Sequence, residues 1–156
     1  MSQLKTHDKA PDFSGKNQNG DLLTLNSFLG RKVILYFYPK DDTPGCTAQS
    51  CNLRDNYDYL LQLGYVVIGV SNDDEASHQK FIKKYNLPFH LIADTDKKIV
   101  QDYGVYGQKS FMGKEYMGIN RTTFVIDEKG FIEECIGTVV TKDHTEQILN
   151  LANKKQ

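Results

Sequence analysis

Two uninterrupted runs of β-branched and aromatic residues, VILYFY at 33–38 and YVVIGV at 65–70, constrain this chain more than any other feature. A strand with one wet face alternates apolar and polar residues. A run without polar breaks suits a strand buried on both faces, in a sheet covered by helices on either side. Between the runs, Leu53, Tyr57, Leu60 and Leu61 recur at helical spacing, which predicts one helix over 47–63 ended by Gly64. A second helix is expected over 75–85, behind Asp73 and Asp74, with Phe81, Ile82 and Tyr85 on its apolar face. Residues 89–93 read as a third strand and 97–103 as a short helix. Strands alternating with helices imply an α/β sheet with right-handed crossovers.

The flanks add antiparallel pieces. Residues 13–25 surround the turn Asn17-Gln18-Asn19-Gly20 and predict an N-terminal β-hairpin. Residues 122–126 and 131–136 flank Asp127-Glu128-Lys129-Gly130 and predict a second hairpin, so the sheet is expected to be mixed. Residues 104–120 hold four Gly and read as a mobile loop, and 142–153 as a closing helix. With 156 residues and no repeat or linker, 1–156 is expected to form one domain.

Composition removes several classes. Nineteen Lys+Arg against 20 Asp+Glu leave a net charge of −1, which excludes a strongly basic nucleic-acid binder. The longest apolar runs fall far short of the ~20 residues that span a membrane, and the N-terminal stretch shows no secretory h-region. Three Cys are too few for a disulfide scaffold and point to reduced thiols in the cytoplasm. His7, His78, His90 and His144 form no ligand pair, so no metal is expected. The scattered glycines make no phosphate loop, and neither haem nor flavin is implied. Asp41-Asp42 and Asp73-Asp74 are read as solvated loop and cap residues. Cys135, in the strand-like FIEECI, is read as a packing residue.

The chemistry concentrates in YFYPKDDTPGCT, residues 36–47, which follows a buried strand and opens a helix. Open α/β sheets place their sites at the carboxyl ends of strands. Cys46 falls in the first helical turn, where unpaired N–H groups and the helix dipole favour a thiolate, the nucleophilic form. On these grounds alone a reactive Cys46 and a buried, inert one stand about level.

The residues resemble a known family. Pro39-x-x-x-Thr43-x-x-Cys46 matches the PxxxTxxC motif of peroxiredoxins, and YFYPKDDTPGCTAQSC is similar to the bacterioferritin-comigratory-protein, or PrxQ-like, class. The likeness extends from Ala10-Pro11-Asp12-Phe13 through YVVIGVS and Tyr103-Gly104-Val105-Tyr106-Gly107 to MGINRTTF at 117–124. It implies a thioredoxin-like α/β fold, a central mixed β-sheet flanked by α-helices, and a thiol peroxidase acting on hydrogen peroxide and organic hydroperoxides. By resemblance Cys46 is the peroxidatic cysteine. Thr43 hydrogen-bonds thiolate and peroxide, Arg121 stabilises thiolate and leaving oxygen, and Pro39 shields the site. The Gly45 and Cys46 amides and Gln49 help to hold substrate. Only the resemblance makes Arg121 a site residue; its sequence distance from Cys46 reads as a surface charge. No bound cofactor is implied, because sulfur stores the oxidising equivalents. The implied reductant is thioredoxin or a similar dithiol. The implied oligomeric state is a monomer, with weak dimers known in the class.

The resemblance also makes Cys51 the resolving cysteine, forming a disulfide with Cys46 within one chain. On an intact helix, five residues rotate ~140° and rise ~7.5 Å, which separates the Cα atoms by roughly 8–9 Å. That exceeds the ~7 Å limit for a disulfide, so the first turns are expected to unwind after Cys46 oxidises. Two other readings remain open. A thiol–disulfide oxidoreductase would use the same cysteines on protein substrates, and a redox sensor would offer the unwound helix to a partner. Residues 106–120, with their aromatic and Met side chains, are expected to border the peroxide pocket.

Overall fold

The computed structural model describes residues 4–153; the start of the N-terminal stretch read for a leader lies outside them. The two apolar runs become β3 (Lys32–Phe37) and β4 (Tyr65–Ser71), paired in parallel with Val33 opposite Val66 and Phe37 opposite Val70. β5 (His90–Ala93) joins β4 in parallel. On the other side β8 (Thr122–Ile126) and β9 (Ile132–Ile136) add antiparallel strands. The order β5-β4-β3-β8-β9 is a five-stranded mixed sheet. Ahead of it, β1 (Ser14–Lys16) and β2 (Leu22–Thr24) form the expected N-terminal hairpin.

Why the runs carry no polar breaks is visible in β3. Val33, Leu35 and Phe37 enter one core with Val66, Ile68, Val70 and Phe124, closed by Ile99 and Val100 of α4 (Lys98–Asp102) and by Tyr103 just after it. Ile34 and Tyr36 point into a second core, with Leu53 of α1 (Pro44–Asp55) and Leu60 of α2 (Tyr57–Gln62). Phe81 of α3 (Glu75–Tyr85) and Ile148 of α5 (His144–Asn153) complete it. Both sheet faces are therefore dry, as period-2 geometry demands of a fully apolar strand.

Two expectations need correction. The helix predicted over 47–63 is two helices, interrupted at Asn56. The Asn56 side-chain amide donates to the Asn52 carbonyl at 2.8 Å, competing for an acceptor that a continuing helix would use. The mobile loop predicted over 104–120 is a hairpin, β6 (Tyr106–Phe111) with β7 (Lys114–Ile119). Met112 and Gly113 make a two-residue turn with φ of 52° and 78°, the positive pair that a twisted hairpin favours. Phe111, Met112, Tyr116 and Met117 are exposed, so neither strand carries the alternation by which strands are read.

α1 is tied to α5 from the side. Asn52 Nδ2 donates to the Lys142 carbonyl at 2.9 Å, and its Oδ1 accepts from the Thr145 amide at 2.7 Å. One side chain thus satisfies a first-turn N–H of α5 that has no partner within its own helix. No helix among the described residues is long and apolar enough to cross a membrane.

His144, at the start of α5, is fully buried. Its Nδ1 donates to Gln147 Oε1 at 2.9 Å and its Nε2 accepts from the Thr123 hydroxyl at 2.8 Å, the pattern of a neutral ring. Burial, with repulsion from Arg121, holds its pKa down at about 4. The unfolded chain takes up a proton near pH ~6.5 that the fold refuses. Stability is then complete above that pH and falls as pH drops towards 4, by about 3 kcal/mol in all. Urea titrations at pH 7 and 4.5 are expected to show this loss in wild type and a smaller one in His144→Gln. Equal losses would remove His144 as the cause.

Candidate active site

The chain leaves β3 through Tyr38, whose amide donates to the Val70 carbonyl at 3.1 Å, and passes through residues 39–43 into α1. Thr43 holds the N-cap position and Pro44 the first helical one, where a missing N–H costs nothing. The first helical bond runs from the Thr47 amide to the Thr43 carbonyl at 2.8 Å. The Gly45 and Cys46 amides therefore precede the helical ladder and need partners from elsewhere. Cys46 is 1% exposed and packs in the second core.

The sheet delivers Arg121. In the antiparallel pair of β3 and β8, Phe37 stands opposite Thr122, so the residue before Thr122 lies beside the strand end that leads to Cys46. Arg121 Nη2 donates to Cys46 Sγ at 3.3 Å, and Nη1 donates to Gln49 Oε1 at 2.8 Å. A Cβ added to Gly45 would lie 3.1 Å from Nη2, so the bare backbone there leaves the guanidinium its place. Asn120 is held by its amide on the Val105 carbonyl at 2.7 Å, and Thr122 Oγ1 donates to the Asn120 carbonyl, which fixes the turn carrying Arg121.

Gln49 is 0% exposed, and its Nε2 has no hydrogen-bond partner among the described residues. Buried donors are seldom left unpaired, and this one sits one turn from the sulfur. The Thr43 hydroxyl donates to the Lys40 carbonyl at 2.8 Å, which leaves its oxygen as an acceptor. It makes no side-chain cap bond, so position alone makes it the helix cap. Pro39 is half-buried at the end of the strand.

Cys51 is half-buried on the intact α1, and burial pushes its thiol pKa up. All three cysteines are free. Cys135 packs against the first core from β9, as expected of a packing residue, and burial raises its pKa also.

Two site neighbours escaped the sequence reading. Lys109 of β6 reaches back to donate to the Ile119 carbonyl at 2.9 Å. Burial and repulsion from Arg121 lower its pKa, while the charge of Cys46 opposes that shift. Nothing in the local sequence marks it, because its place depends on the β6–β7 hairpin. Asp41 is the second, and it corrects the reading of Asp41-Asp42 as solvated. Asp42 is exposed, paired with Lys84 Nζ at 2.8 Å and Tyr85 Oη at 2.7 Å. Asp41 is buried beneath the loop and accepts hydrogen bonds from Tyr38, Ser77 and His78.

A cavity of about 600 Å³ lies elsewhere, lined by Lys32, Tyr65 and Glu133 among others, and contains none of these residues. A peroxide has two reacting atoms and needs far less room, so the chemistry, not the volume, locates the site.

A profile of the AhpC/TSA family matches residues 6–135. The chain belongs to that family. Over 150 residues this peroxiredoxin is 45% identical to peroxiredoxin Bcp of Escherichia coli K12, an alignment that covers 96% of each chain. It is equally similar, over 146 residues, to the putative peroxiredoxin bcp of Coxiella burnetii, with 94% of this chain and 97% of that one covered. Among solved structures, a cysteine-to-serine mutant of Xylella fastidiosa PrxQ superposes with a TM-score of 0.92 at 27% identity, over 99% of both chains. Peroxidoxin BcpB of Mycobacterium tuberculosis gives 0.86 at 29% identity, again over 99% of both. The fold is thus the thioredoxin-like one of Bcp and PrxQ peroxiredoxins, and the chain is a thiol peroxidase.

Proposed function

We propose that this peroxiredoxin reduces hydrogen peroxide and organic hydroperoxides through Cys46, resolves the product with Cys51 of the same chain, and is recycled by thioredoxin. The observation that carries the reading is the fork of Arg121, one arm on Cys46 Sγ and the other on Gln49. The Cys46 thiolate attacks the terminal peroxide oxygen. The O–O bond breaks, sulfur becomes sulfenic acid, and the other oxygen leaves as water or alcohol after taking a proton. Arg121 meets the charge that shifts from sulfur to the departing oxygen. The Gly45 and Cys46 amides and the unpartnered Gln49 Nε2 are the donors left for substrate. Thr43 accepts from the peroxide hydroxyl, and Pro39 keeps bulk water off the sulfur.

Resolution requires α1 to open. Cys46 and Cys51 lie on one intact helix at a spacing no disulfide spans. Cys51 displaces water from the sulfenic acid once the first turns have unwound, and a dithiol then reduces the disulfide. Near-complete burial of Cys46 disfavours the oxidoreductase reading, because a protein disulfide cannot reach the sulfur. Organic hydroperoxides are included because a solved relative, the Xanthomonas campestris bacterioferritin comigratory protein, is described by its alkyl peroxide reduction activity. We assign the enzyme to a reducing, cytoplasmic setting, on its three free thiols, and to action as a monomer.

Intact mass after one equivalent of hydrogen peroxide tests the scheme. Wild type is expected to lose about two mass units and Cys51→Ser to gain about 16, with Cys46→Ser unchanged. A Cys51→Ser protein that behaved as wild type would move resolution to another thiol. Oxidation of Cys46→Ser at the wild-type rate would end the assignment of Cys46.

A further inference from the structure

Beneath the residues 39–43 lies a buried polar cluster that the scheme above leaves without a role. His78 Nε2 lies 2.9 Å from the Ile92 carbonyl, so that nitrogen donates. Nδ1 lies 2.7 Å from Asp41 Oδ2, with side-chain exposures of 0% and 4%, so one proton is held between ring and carboxyl out of reach of water. Ser77 Oγ donates to the same oxygen at 2.8 Å, and the Tyr38 hydroxyl to the other. Burial pushes the Tyr38 pKa well above its usual value, which keeps that donor protonated. The backbone is anchored too. The Asp41 amide donates to Asp73 Oδ2 at 2.8 Å, and Asp73 is itself held by the Ser71 hydroxyl.

A buried pair of this kind rarely adds stability over an apolar substitute. What it does here is fix one peptide. The Lys40–Asp41 peptide carries the amide bound to Asp73 at one end and, at the other, the carbonyl that takes the Thr43 hydroxyl proton. With that proton directed at Lys40, Thr43 can only accept from a hydroxyl in the site. A peroxide arrives with such a hydroxyl; an alkylating agent such as iodoacetamide reacts without one.

We propose that Asp41 is a positioning residue for the peroxide step, held by Tyr38, Ser77 and His78 and acting through the Lys40–Asp41 peptide to orient the hydroxyl of Thr43. The inference rests on the peroxidase reading given above. It says that the carboxylate serves substrate geometry rather than the nucleophile.

The test uses the full chain in a Cys51→Ser, Cys135→Ser background, where Cys46 is the only thiol. Sulfenic acid formation with hydrogen peroxide is followed by rapid quench and mass spectrometry, and alkylation by iodoacetamide is followed in parallel. Asp41→Ala is expected to slow peroxide oxidation about tenfold or more, as misplaced reacting groups do, with alkylation nearly unchanged. In a Thr43→Val background the same substitution is expected to add nothing, since the group through which it acts is gone. Asp73→Ala, which releases the Asp41 amide without emptying a buried site, is expected to show the same pattern and serves if Asp41→Ala does not fold. Peroxide oxidation at the wild-type rate in the folded variant overturns the proposal. So does equal slowing of both reactions, the mark of a merely structural role, and so does an effect that multiplies with Thr43→Val. A parent protein whose Cys46 resists peroxide altogether overturns the peroxidase reading first, and the proposal with it.

Discussion

Cys46→Ser is expected to consume no peroxide above background, with any reductant and at any peroxide concentration. The substitution exchanges one atom in a site that is 1% exposed, so packing and fold change little. What changes is the nucleophile. A serine hydroxyl stays protonated at neutral pH, and the group that hydrogen-bonds this position among the described residues is the cation Arg121, which cannot take its proton. Nor does oxygen offer the polarisable lone pairs that attack an O–O bond and then hold oxygen at the sulfenic level. The measurement is peroxide loss under excess thioredoxin and its reductase, beside a melting curve showing the variant folded. Turnover within tenfold of wild type in folded Cys46→Ser would place the chemistry on a different residue.

The second large effect is at Arg121. Arg121→Leu is expected to lower the second-order rate with hydrogen peroxide by about 10²–10³, the usual consequence of deleting a donor aimed at developing charge. Two losses combine. The leaving oxygen loses its cation, and Gln49, whose Nε2 already has no partner among the described residues, loses the bond to Oε1 and with it a fixed orientation. Arg121→Lys separates them. An ammonium keeps the charge, but it lacks the planar fork that reaches sulfur and amide together, so an intermediate rate is expected. Stopped-flow oxidation of the two variants reads the difference. An Arg121→Leu protein within twofold of wild type would make the contact with Cys46 incidental.

The sequence showed the centre of the fold better than its edges. VILYFY and YVVIGV were legible because a strand buried on both faces has no polar partner to blur it, and both emerged as central strands. The β6–β7 hairpin was not. Its strands lack a buried face, and Met112-Gly113 is not among the dipeptides that announce a tight turn, although it adopts the same positive φ angles. The break at Asn56 depends on a side chain that caps backwards, which periodicity cannot register. In the site, a helix start behind a strand left a reactive and an inert Cys46 about level, and the PxxxTxxC likeness singled it out. Arg121 was legible only through the family likeness, because its place follows from the β3–β8 register. Asp41 was misread because a pair of aspartates in a loop is normally wet. Its burial needs donors from Tyr38, just past β3, and from α3 that converge only in the fold.

Asn52, the residue after Cys51, gives the redox cycle a thermodynamic scale. Its bonds to Lys142 and Thr145 make it a stop for any opening that starts at Pro44. The reduced protein then has only the stretch ahead of that stop to keep helical, docked through Gln49 and through Ser50 on the Tyr36 hydroxyl at 2.8 Å. In the cycle proposed above, whatever free energy this short segment gains by folding is withheld from the Cys46–Cys51 disulfide form. The midpoint potential of the couple therefore becomes a gauge of local helix stability, about 30 mV more oxidising for each 1.4 kcal/mol of docking. A firmer helix makes a protein that is easier to recharge and slower to close its own disulfide. The balance between those two speeds is set by a few buried contacts rather than by the sulfur atoms.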